Sequence, residues 1–105
     1  MIITPVIGRR VYPKEDGWLP NLEPGDYGHI GEGVAKTHPG AAGWMGVTPD
    51  GHHCNLRGHK VVEHEDGTIT VSPSILISIP ARADLGRPKQ ELWHGFLERG
   101  VWRAV

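Results

Sequence analysis

The chain has 105 residues, which suits one hydrophobic core and no more. Eleven Lys and Arg against twelve Asp and Glu leave a net charge of -1, so there is no basic field to hold a phosphate backbone and nucleic acid is not an expected partner. A single cysteine excludes an internal disulfide, and no apolar run approaches the ~20 residues that cross a bilayer, so a soluble protein in a reducing interior is expected.

Fifteen glycines and nine prolines break helix interiors and favour turns, which points to a β-rich chain. The first candidate strand runs from Ile2 to Tyr12, and its interruptions at Pro5 and Gly8 suit an edge or a bulge. Its brief apolar start leads into proline, glycine and two arginines, not the unbroken apolar stretch of an export signal. Residues 13 to 43 are rich in proline and glycine and poor in β-branched residues, so they read as a long irregular loop. Within it, "GHIGEGVAK" lacks the glycine spacing of a nucleotide-binding loop.

Beyond the loop, "GWMGVTP" is a short strand and "PDG" a turn. "KVVEHEDGTITV" is the clearest hairpin, with Glu65-Asp66-Gly67 at the reversal. Pro73 should break the pairing before a strand at 75 to 80 that places Ile75, Ile77 and Ile79 on one face. "ARADLGRPKQ" is a polar loop. The terminal "ELWHGFLERGVWRAV" admits a helix after Pro88, at the cost of Gly95 in its middle, or a hairpin turning at Glu98-Arg99-Gly100. The expected fold is one mainly β domain over 1 to 105, a small antiparallel sheet or flattened barrel with little helix. Its expected core is Trp44, Val71, Ile75, Ile77, Ile79, Leu92, Phe96 and Trp102.

The segments "TITVSPSILIS" and "WHGFLERGVWR" resemble a family of small, uncharacterised proteins encoded by bacteriophages and prophages, some of which carry an unsupported ammonia monooxygenase label. The matching residues are Ser72, Pro73, Ser74 and Ile75, then His94, Phe96 and Gly100, and they cover about the last forty residues. The resemblance implies a terminal hairpin and a bacterial cytoplasmic setting. It also implies a zinc site, since many relatives carry clustered cysteines upstream. This chain departs from that pattern: Cys54 matches one thiolate, Asn55, Leu56 and Arg57 follow it, and Trp93 precedes His94.

An inherited zinc site would therefore need histidines as substitutes, and "GHHCNLRGHKVVEH" supplies them at 52, 53, 59 and 64. Neighbours on a strand point to opposite faces, which leaves His53, Cys54 and His94 as the best metal set, or His52 in place of His53, with Cys54 on a turn. The competing reading makes them surface histidines, with His94 facing inward beside Leu92 and Phe96 and satisfied by a hydrogen-bond partner. An enzyme would take a histidine as base, Glu63, Glu65 or Asp66 to orient it, and Cys54, Ser72 or Ser74 as nucleophile. No reaction motif joins these residues.

The expectation is therefore a non-enzymatic phage or prophage accessory protein that binds a macromolecule, a protein in preference to nucleic acid or membrane, without a cofactor. The alternative is a zinc-dependent hydrolase-like domain using the central histidines and His94. Self-association is also expected, through Trp18, Leu19, Leu22 and Tyr27, because strand edges invite pairing.

Overall fold

In the computed structural model, which describes residues 5–105, two sheets pack across a shared core. The first strands are β1 (Val6–Ile7) and β2 (Arg9–Val11), followed by β3 (Asp26–Ile30) and a one-turn helix α1 (Glu32–Ala35). Next come β4 (Gly43–Val47), β5 (His53–Asn55), β6 (Lys60–Glu63) and the long β7 (Ile69–Ile79). A short 3-10 turn at Ala83–Leu85 separates β7 from β8 (Gln90–Glu98), and β9 (Val101–Ala104) ends the chain. One sheet has the order β1-β9-β8-β7-β6 and the other β2-β3-β4-β5. All pairings are antiparallel except β2 with β3. The mainly β expectation holds, but the sheets stay separate and do not close into a barrel.

Gly8 carries the chain from one sheet to the other. A Cβ there would lie 2.7 Å from both the Gly25 carbonyl oxygen and Trp102 Nε1, so only glycine fits the crossing. Trp102 fills the space between the sheets and donates its indole N–H to the Gly25 oxygen at 2.9 Å, which satisfies its one polar atom. Around it lie Tyr27, Leu56, Ile69, Val71, Ile75, Trp93 and Leu97, with Trp44, Cys54, Val61 and Ile77 packed at the margin.

Several expectations need correction. The candidate strand from Ile2 is two short strands in different sheets; Ile2 to Thr4 lie outside the described residues. The 13 to 43 segment is not wholly irregular, because β3 is an inner strand of its sheet and Tyr27 is buried in the core. Tyr27 is thus unavailable for self-association, while Leu19 lies over Gly28 and Trp18 meets the His38 ring edge-on. Pro73 does not end a strand: β7 continues through it with a register shift between Val71 and Ile75. The terminal segment is a hairpin whose two-residue turn, Arg99-Gly100, has positive φ at both positions.

Within that hairpin the inward face is the opposite of the one expected. Trp93, Gly95 and Leu97 point into the core, whereas Phe96 is 40% exposed on the outer face together with His94. Ile79 is exposed, and Leu92 and Ile77 are only partly covered.

Candidate functional site

The metal candidates fall in three different settings. His53 and Cys54 are consecutive on β5 and so face opposite ways, His53 exposed and Cys54 towards the core. Cys54 sits on this edge strand, not on a turn. Burial pushes its thiol up to about 11, against a weaker opposing effect of the Gly46 backbone, so at neutral pH it is a protonated thiol. His94 belongs to the other sheet, where its Nε2 lies 2.9 Å from Ser74 Oγ. Among the described residues no group of three His, Cys, Asp or Glu is gathered closely enough to hold a metal ion. The other histidines have their own neighbours: His52 Nδ1 is 3.1 Å from Asp50, His59 Nε2 is 3.2 Å from the Ser74 carbonyl, and His64 Nε2 is 2.7 Å from Thr70 Oγ1.

Of the side chains considered for catalysis, Ser74 and His94 are the nucleophile and base that hydrogen-bond to each other among the described residues. A serine within hydrogen-bond reach of an imidazole is half of a hydrolytic constellation. However, neither Glu63, Glu65 nor Asp66 bonds to His94: Glu63 holds Arg10, and Asp66 accepts from Thr68 in the hairpin turn. The pair lies on the outer face of its sheet, and its bond gives His94 the polar outlet that a part-buried imidazole needs.

The sequence did not reveal a polar mouth between the sheets. Residues paired across a sheet share a face, so Arg10 lies on the same side as buried Tyr27, and His29 on the same side as Trp44. From the opposite sheet come Val61 and Glu63, and together these side chains line a groove of about 320 Å³. Arg10 spans it. One terminal nitrogen donates to Glu63 Oε2 at 2.6 Å and to the Gly67 carbonyl at 2.8 Å, while Tyr12 and Trp44 lie 4.5 and 4.8 Å from the guanidinium carbon. This arginine is held in place by rings and acceptors, and so serves as a strut between β2 and β6.

The most exposed organised structure is the tip of the β7–β8 ribbon. All thirteen residues from 79 to 91 are exposed. Even so, the tip is ordered by its own bonds. The Arg82 and Arg87 backbones exchange hydrogen bonds of 2.8 and 2.9 Å, and Arg82 grips both carboxylate oxygens of Asp84. Ile79, Pro80, Leu85 and Pro88 surround a hollow of about 410 Å³ with Arg82, Arg87 and Gln90 at its rim. Arg87 and Lys89 make no ion pair among the described residues. The stretch contains no histidine, cysteine, serine or threonine, so it carries chemistry for recognition but none for nucleophilic attack. Its exposure follows from the expected polar loop; its order and its apolar hollow do not, because both depend on the long ribbon beneath.

Comparison with known proteins adds no assignment: no family model, curated protein or solved structure matches the chain.

Proposed function

We propose that this chain is a non-enzymatic accessory protein of phage or prophage type, and that the β7–β8 tip binds another protein. The observation that carries the reading is the ordered, fully exposed tip, which combines an apolar hollow with Arg87 and Lys89, cations that make no ion pair among the described residues. An apolar anchor set in a hollow with charges around its rim is the usual anatomy of a protein-binding hot spot. The matching partner surface presents an apolar side chain flanked by carboxylates. No convergent set of base, nucleophile and orienting acid competes with this reading among the described residues.

The test is site-specific photocrosslinking in the bacterial host, with the reactive group at Leu85 and, as a control, at Val62 on β6. A discrete protein adduct from Leu85 alone, weakened by Arg87→Glu, is the expected result. Adducts of equal yield from both positions, or none from Leu85, would overturn the reading. So would one equivalent of zinc in protein purified without a histidine tag, which would restore the metal-dependent alternative.

A further inference from the structure

The ribbon below the tip has an open flank. β6 covers β7 only from Ile69 to Ser72, so residues 74 to 78 have β8 on one side and, among the described residues, no strand on the other. The direction of their backbone groups follows from the ladder. The His94 carbonyl accepts from Val105 N–H on the β9 side, so Leu76, directly opposite His94, turns its own N–H and C=O away from β8. By alternation Ser74 and Ser78 point the same way, and the 3.2 Å approach of His59 Nε2 to the Ser74 carbonyl agrees with this. Among the described residues no backbone hydrogen bond reaches Leu76 or Ser78 from that side.

The exposed segment reads Ser74-Ile75-Leu76-Ile77-Ser78, which is the same in both directions. It contains no charge, proline or lysine, residues that ordinarily protect a strand edge from pairing, and the register shifts of its ladder with β8 fall at its two ends, between Val71 and Ile75 and between Ile77 and Ser78. Antiparallel strands related by a two-fold axis place each residue opposite its mirror position in the other copy. An axis through Leu76 thus sets Leu76 against itself, Ser74 against Ser78 and Ile75 against Ile77; the outward N–H and C=O of the two Leu76 residues meet directly, and the Ser74 carbonyl exchanges its His59 neighbour for the Ser78 N–H of the second copy. We propose that this flank is a dimer interface, in which a second copy of the chain adds its β7 antiparallel and in register about Leu76 to form one continuous sheet. The interface uses the side of the ribbon and not its tip, so it stands whether or not the tip binds another protein.

Light scattering and sedimentation at tens of micromolar should give twice the chain mass of 11.5 kDa. Leu76→Lys sets two like charges face to face on the axis and should yield a folded monomer. Val62→Lys, at the same 43% exposure but on β6, should leave the dimer intact. In a Cys54→Ser background, pyrene attached to Leu76→Cys should show excimer emission, and pyrene on Val62→Cys should not. A monomeric wild type would overturn the proposal, as would a dimer unaffected by Leu76→Lys or one lacking the excimer at position 76.

Discussion

Asp26 shows how one residue can matter without announcing itself. Its carboxylate is almost fully buried, yet it is bonded on every side available: Arg9 Nε and Nη2 donate at 3.0 and 2.8 Å, and the Glu23 N–H donates at 2.9 Å. The Arg9 hydrogen bonds hold the carboxyl below its usual range, against the opposing pull of burial. A folded-state value below the unfolded one means that this stabilisation is complete above the ordinary aspartate value of about 3.9, and is lost as pH falls through the lowered folded value. Asp26→Asn should therefore cost about 1 to 3 kcal/mol at neutral pH. The urea midpoint of the variant should also fall less steeply than that of wild type below about pH 4, and parallel slopes would refute the role. In the sequence Asp26 sits in "PGDYG", which looks like turn chemistry, and its partner is 17 positions away. Phe96 and His94 illustrate a different failure. The alternation was right but its phase was not, because the choice between two faces rests on the partner sheet and not on the strand.

At the scale of elements, legibility follows locality. The terminal segment that turns at Arg99-Gly100 carried local signals for a helix as well as for a hairpin, but the turn at Glu65-Asp66-Gly67 specifies its hairpin through a positive-φ glycine and a short loop, so the flanking strands could be placed from neighbouring residues. β3 could not be, because its strand character comes from being sandwiched between β2 and β4, with Gly28 allowing Val11 and Leu19 to close in. Gly95 belongs to the same non-local class. It weakened a helix reading, yet its purpose appears only in the sheet: a Cβ there would fall 2.2 Å from the Arg103 carbonyl oxygen and 2.4 Å from the Trp93 ring. Removing that Cβ lets Trp93 fold against its own strand and meet Trp102 edge-on, centroids 5.7 Å apart. Gly95→Ala should thus destabilise by about 1 to 3 kcal/mol through overpacking. It should also alter the near-ultraviolet circular dichroism of the tryptophan pair; an unchanged spectrum with unchanged stability would show that the strand has slack.

For the whole molecule, the question is how two sheets with unequal strand numbers keep their spacing where the apolar core runs out. On the Trp102 side the answer is packing, with the indole bridging to Gly25. On the β2–β6 side it is Arg10, which ties the outermost strand of one sheet to the outermost strand of the other through Glu63 and Gly67. Sequence alone could not join residues 53 and 57 positions apart, and "GRRVYP" looks like an exposed edge. The stacked rings of Tyr12 and Trp44 are the stronger hold, since Glu63 is half exposed and an exposed ion pair contributes only about 0 to 1 kcal/mol. Glu63→Gln should then cost no more than about 1 kcal/mol. Arg10→Ala should cost about 2 to 3 kcal/mol, because it removes two cation–π contacts and the carbonyl bond together. Arg10→Lys should recover only part of that loss, since an ammonium lacks the flat face that lies between the rings. Urea midpoints measure all three, and the tryptophan emission of Arg10→Ala should shift to the red as water reaches Trp44. Equal losses for Arg10→Ala and Glu63→Gln would instead assign the tie to the ion pair, and an unshifted emission would show that the mouth stays closed without its arginine.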